Sequence, residues 1–308
     1  MDDPYHFWRA FPYMPIVFVA YAAVLTIWST TPLAIVWSSQ DFTPVFAAFS
    51  RMLLAALLGT GLLYLFKVPF PRHRQALQGY AAALLGVYAS MMLTYSAAPY
   101  VPSGLMSLLF GMGPLISGLL EPWLLKDQTM SRTQILALCM AFCGLGIIFQ
   151  DDVVVDQQVL TYSLMVLTGV FLFSLSAILV KKNASGVHPL AQTLGTLWAA
   201  VPCYALTWWL LDGELPQLEI SSHSLWAILY LAIFGSLVGF ICYYFILQQL
   251  KARTVALITL ITPVFALMLG HLLNQEPLTS HLALGAGLIL IALILYQGGH
   301  LRLLRCKI

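Results

Sequence analysis

Two prolines, Pro114 and Pro263, lie deep inside apolar stretches of the chain. A proline within a helix removes one backbone donor and frees the carbonyl four residues earlier, here those of Phe110 and Thr259. In apolar surroundings a freed carbonyl must be satisfied by protein, water or ligand, so each proline marks a place where a polar solute can be held. Tyr88, Met91, Met92 and Tyr95 recur at i, i+3, i+4 and i+7, and Phe240, Tyr243 and Tyr244 repeat most of that spacing. Each series forms one helix face. A buried phenol usually finds a hydrogen-bond partner, and a thioether adapts to irregular shapes. Together with Trp28, Ser29, Phe110, Phe173, Ser174 and Thr259, these residues are expected to line an aromatic cavity that stacks on a small-molecule substrate and hydrogen-bonds it.

Charge inside the apolar stretches is scarce. Arg51 lies ~10 Å into its stretch by helical rise, and an arginine at the centre of a membrane helix costs about 2.5 to 3.5 kcal/mol to insert. It must face protein or water, where it either counters a substrate carboxylate or snorkels and ties helices together through backbone carbonyls. Glu121 lies near a helix end, within reach of Lys126 or Arg132, and His271 has an interfacial position. No carboxylate falls near the middle of a span, so a proton relay of the usual embedded acidic type is not expected. Asp151, Asp152 and Asp156 invite a second reading, Mg²⁺-diphosphate binding in a membrane prenyltransferase. A matching second acidic cluster is missing, which favours a solvated turn. Cys139 and Cys143 share a helix face without His or carboxylate neighbours and read as packing residues, so neither a metal nor a cofactor is expected.

These residues need elements to position them, and the composition says which. Of 308 residues 60% are hydrophobic and 8% charged, against roughly 25% charged in a soluble domain. An ordinary water-soluble enzyme is excluded, and a net charge of +2 gives no basis for a nucleic-acid partner. The partner is a lipid bilayer. A span needs roughly 20 apolar residues, and ten candidate blocks are found, at 13–37, 44–66, 76–96, 102–125, 133–149, 159–180, 189–211, 225–247, 254–273 and 279–296. The first block lacks a cleavage site and is expected to stay in the mature chain. With the N-terminus inside, 13 of the 14 basic residues fall in inner segments while the outer loops carry only acids, as the positive-inside rule requires. The expected fold is therefore an all-α integral membrane protein of ten helices with both termini cytoplasmic. Nothing in the pattern distinguishes a monomer from a homodimer.

The chain also repeats itself. Residues 86–114 align with 235–263 at a constant offset, placing Gly86 on Gly235, Tyr95 on Tyr244 and Pro114 on Pro263, while Trp28-Ser29 falls on Phe173-Ser174 and Thr43-Pro44 on His188-Pro189. Five helices per half give the second half the opposite membrane orientation, an inverted repeat. Boundaries follow: a cytoplasmic segment 1–12, a first repeat 13–150, a second repeat 151–297 and a cytoplasmic tail 298–308. The elements Trp28-Ser29-Thr30 with Pro32, Thr43-Pro44 through Arg51, Val101-Pro102-Ser103-Gly104 leading to Pro114, Phe234-Gly235-Ser236 leading to Pro263, and Gln275-Glu276-Pro277-Leu278-Thr279 resemble the EamA-type family of the drug/metabolite transporter superfamily. The resemblance implies a 5+5 carrier in a bacterial inner membrane, often an exporter of amino acids or related small metabolites; with no embedded carboxylate, an exporter or a facilitative carrier working by alternating access is expected. A channel is the remaining alternative, disfavoured because no ring of filter residues is evident.

Overall fold

The computed structural model describes residues 14–125, 131–150, 156–183, 186–213, 216, 223–249 and 252–305. Asp151, Asp152, Lys126 and most of the two terminal segments lie outside them. The described residues are helical with short connections, and no strand occurs among them. In chain order the helices are α1 (Met14–Ser38), α2 (Pro44–Leu65), α3 (Arg74–Ala97), α4 (Ser103–Gly111 continuing as Gly113–Leu125), α5 (Arg132–Ile148), α6 (Gln157–Asn183), α7 (Pro189–Leu211), α8 (His223–Gln249), α9 (Ala252–Asn274) and α10 (Ser280–Arg305). Seven of them, α1 to α4 and α6 to α8, are long and apolar enough to cross a membrane. Shorter apolar helices occupy Arg132–Ile148, Ile261–Asn274 and Ser280–Tyr296.

Local chemistry starts the helices in the same way in both halves. The Thr43 hydroxyl accepts from the Phe46 N–H with Pro44 at the first turn of α2, and His188 Nδ1 accepts from the Leu190 N–H with Pro189 at the first turn of α7. Proline suits that position because its missing N–H is one the helix cannot use. A capping box of Ser131 and Gln134 starts α5.

Packing follows an exchange rule. The helix pairs α1·α8, α1·α9, α2·α8 and α2·α3 have counterparts in α6·α3, α6·α4, α7·α3 and α7·α8, while α2·α7, α4·α9 and α5·α10 pair each helix with the one five later. The outer faces of the bundle are apolar: Phe18 is 73% exposed, Leu65 71% and Leu211 69%. Water does not solvate such faces over a whole bundle, whereas lipid does.

Two departures from regular helix were not legible in the sequence. The segments Leu85–Ser90 of α3 and Leu231–Val238 of α8 are π-helical, and they overlap when the repeats are aligned. Each widened turn shifts the phase of the side chains beyond it. The chain also breaks at Met112, which separates the two parts of α4 and leaves Pro114 in the first turn of the second part. Pro263, its repeat partner, lies in an α9 that continues unbroken from Ala252 to Asn274.

A central cavity between the halves

Where α4 crosses α9, the backbones come close. A Cβ on Gly111 would stand 3.1 Å from the Pro263 ring and 3.3 Å from the Thr259 carbonyl oxygen, so any larger residue would require the facing helix to give way by a few tenths of an ångström. The carbonyl that Pro263 frees thus lies against the Gly111 backbone of α4. On the other side of the α4 break, Ser174 donates its hydroxyl to the Gly113 carbonyl at 3.3 Å.

Beside this crossing lies a cavity of ≈ 270 Å³. Its middle is a cluster of rings: Trp28 meets Phe173 edge to face at 6.2 Å between centroids and Tyr243 at 5.0 Å, while Phe173 meets Phe110 at 6.3 Å. Trp28 and Phe173 are repeat partners. Of the residues expected to hold substrate, Trp28, Met91, Phe110, Phe173, Ser174, Phe240, Tyr243 and Thr259 border this cavity, as do Arg51 and Pro114.

Ser29, Tyr88, Met92, Tyr95, Tyr244 and Pro263 do not border it. Ser29 bonds back to the Leu25 carbonyl at 2.7 Å. Tyr88 lies within the π-helical turn, which rotates it out of the Met91 stripe; its hydroxyl pairs with Thr207 at 2.6 Å and its ring meets Tyr204 edge to face. Tyr95 is fully buried and accepts a 3.1 Å bond from Arg51 Nη1. Tyr244 stacks on Phe240.

Arg51 is 1% exposed. Its Nε donates to the Ser236 hydroxyl at 2.7 Å and its guanidinium carbon lies 5.9 Å from the Tyr95 ring centroid. It does not snorkel: the side chain bridges α2 to α3 and α8 through hydroxyls, where backbone carbonyls were the expected acceptors.

Several bordering residues were missed from sequence. Thr31, Pro32, Thr94, Ser107, Ser117, Thr262 and Tyr296 line the space, and Glu121 and Lys181 flank its end near the termini of α4 and α6. Pro32 carried a usable signal, since it frees the Trp28 carbonyl by the same rule as Pro114. Glu121 was expected to serve only the helix end. Its place on the cavity wall follows from the break at Met112, which redirects the second half of α4.

Toward the opposite end, where α1 meets α2, polar contacts join the helices. The Glu276 carboxylate accepts from the N–H groups of Ser103 and Gly104 at 2.9 and 3.0 Å and from Asn274 Nδ2 at 3.0 Å, and Trp37 Nε1 donates to Asn274 at 3.1 Å. Gln275 adopts a left-handed backbone, φ 53°, which turns the chain so that Glu276 reaches the start of α4. The Ser224 hydroxyl sits between Asp41 Oδ2 and the Trp37 carbonyl at 2.8 and 2.7 Å, and Thr43 donates to Asp212.

Helices with lipid-facing exteriors around a central cavity define a multi-pass membrane protein. The chain belongs to the EamA-like transporter family, whose model matches residues 14–150 and again 160–297. Among curated relatives, an uncharacterized transporter of Archaeoglobus fulgidus is 22% identical over 276 residues, covering 89% of this chain and 96% of its own. The Bacillus subtilis uncharacterized transporter YoaV is 23% identical, covering 89% and 94%. Protein PecM of Dickeya dadantii is 27% identical, covering 85% and 89%. One solved crystal structure shares the fold with a TM-score of 0.67 at 15% identity, covering 91% of this chain and 96% of that one.

Proposed function

We propose that the protein is a secondary carrier that moves small metabolites such as amino acids across a bacterial inner membrane by alternating access. In this reading all ten helices span the bilayer as two inverted five-helix repeats, 13–150 and 151–297, with both termini in the cytoplasm. The exchange rule in helix pairing and the double family match support that arrangement. The observation that carries the function is a cavity walled by both halves, with side-chain and backbone hydrogen bonds joining the helices toward one end. A channel needs a continuous path, whereas a carrier needs a site that one gate closes off at a time. The seal at Glu276 lies on the periplasmic side in this topology, and the end flanked by Glu121 and Lys181 faces the cytoplasm.

Rocking of the halves about the Trp28 and Phe173 rings would carry substrate outward. Radiolabelled counterflow in proteoliposomes tests the reading. Saturable exchange of amino acids or related metabolites, weakened by Trp28→Ala, is expected; a non-saturating flux linear in concentration would indicate a channel and overturn it.

A further inference from the structure

Arg51 carries a charge that the protein does not neutralise. Among the described residues it forms no ion pair, and its two hydrogen bonds go to the neutral hydroxyls of Ser236 and Tyr95. A guanidinium has five N–H donors and does not lose its proton to escape burial. Three donors, on Nη1 and Nη2, therefore remain, and both Arg51 and Gly235, which lies beside Nη2, border the cavity. Gly235 keeps Nη2 bare: a Cβ at that glycine would come within 3.0 Å of it. A buried ionised group without a counter-charge is strongly disfavoured, and two parallel N–H donors match a carboxylate in fork geometry.

We propose that the cavity selects organic carboxylates with an aromatic or otherwise apolar body, the carboxylate seated on the free edge of Arg51 and the body on the Trp28, Phe173 and Tyr243 rings. The proposal rests on the carrier reading above and narrows its substrate from amino acids in general to anions. An α-ammonium group beside the carboxylate would have no counter-charge. Glu121 is the one carboxylate among the described cavity-lining residues. It lies beyond the α4 break at Met112, toward the Lys181 end, while Arg51 is ~10 Å into α2 from the other end, so one α-amino acid headgroup does not reach both. At ≈ 270 Å³ the space falls just below the ~300 to 1,000 Å³ of sites for drug-sized ligands, which fits a molecule of one or two rings. A monoanion also needs no proton relay to leave the cell, because an interior-negative potential of ~100 mV favours its exit by about 50-fold.

Three probes with one indole body separate the charge types: indole-3-acetate, tryptophan and tryptamine. In proteoliposome counterflow, indole-3-acetate is expected to show a KM at least ten-fold below that of tryptophan, with tryptamine excluded. A valinomycin-set potassium potential, negative on the side of origin, should accelerate its exit. Arg51→Met should erase the preference, and Gly235→Ala should weaken it by crowding Nη2 in a protein that still folds. Wild-type protein in detergent should gain thermal stability from indole-3-acetate and none from tryptamine, a readout independent of any variant. Equal or better transport of tryptophan or tryptamine, or an unchanged order of KM values in Gly235→Ala and Arg51→Met, would overturn the carboxylate seat and leave the carrier standing. Absence of saturable counterflow for these probes and for a wider metabolite panel would overturn both.

Discussion

At the scale of single residues, identical side chains do different work according to what lies opposite them. Tyr88 and Tyr95 stand seven apart on α3, yet one bonds Thr207 at the α3·α7 contact and the other holds the Arg51 guanidinium. A hydrogen bond to a charged group contributes about 1.5 to 3 kcal/mol against about 0.5 to 1.5 kcal/mol for a neutral pair. Tyr95→Phe is therefore expected to lower unfolding stability in detergent by more than Tyr88→Phe, while Tyr88→Phe leaves counterflow KM unchanged; equal effects on both measurements would refute the division. Arg51→Met points the other way. Relief from burying an unpaired charge offsets the loss of the bonds to Ser236 and Tyr95, so this variant should keep the thermal midpoint within a few degrees of the parent while losing carboxylate transport. A loss of several degrees would make Arg51 a structural tie. The arginine's burial was legible in the sequence from the cost of exposing it to lipid. Its partners were not, because Ser236 comes from a helix 185 positions away and no local pattern points to it.

At the scale of elements, close approach is decided by backbone geometry, which small residues permit but do not dictate. Gly111, Gly113, Ser117, Gly118, Gly144, Gly146, Gly285 and Gly287 all read alike in sequence as packing positions. In the structure Gly144 and Gly285 face each other's carbonyls, with added Cβ atoms at 2.8 and 2.6 Å, whereas Gly146 and Gly287 meet nothing within 4 Å. Gly144→Ala or Gly285→Ala should thus destabilise the α5·α10 contact by about 1 to 3 kcal/mol. Gly146→Ala and Gly287→Ala should be neutral or gain a few tenths to ~1 kcal/mol from helix propensity. Chemical unfolding of the four variants decides it, and a uniform cost would mean that the pair does not set the helix spacing. The ten apolar blocks were readable because they depend on composition and period, and the observed helices start within a few residues of them. The π-helical turns at Leu85–Ser90 and Leu231–Val238 were not readable, since a widened turn leaves no mark on hydrophobicity. That is why the Tyr88 stripe divides, while the rings at Phe240 and Tyr243, beyond the second π segment, still reach the cavity.

At the scale of the whole molecule, the two halves alternate only if the contacts sealing one end are weak enough to release. The Glu276 carboxylate joins the α9 to α10 connection to the first turn of α4, where Ser103 and Gly104 have N–H groups that no helical carbonyl can reach. A negative charge at a helix N-terminus is favoured by the helix dipole as well as by the bonds. Glu276→Gln keeps the size of the side chain but turns one acceptor into a donor. Oε1 already serves two donors, Ser103 N and Asn274 Nδ2, while Oε2 serves Gly104, so either orientation of the amide sets its NH2 against a donor. Losing one charge-assisted bond at about 1.5 to 3 kcal/mol shifts a two-state equilibrium about 10-fold or more away from the sealed form. Ile35 borders the cavity and is 2% exposed, so an Ile35→Cys variant reports on entry from the sealed side. In the proposed topology, with right-side-out vesicles, a membrane-impermeant maleimide should label that cysteine slowly in the parent and at least several-fold faster when Glu276→Gln is added. Lys181 lies at the other end of the cavity, and reaction of a Lys181→Cys variant with the same reagent applied from the cytoplasmic side should fall in parallel. Opposite changes at the two ends are the signature of one moving barrier. If labelling rises at Ile35→Cys without falling at Lys181→Cys, the seal opens as an independent leak and the halves do not rock as units.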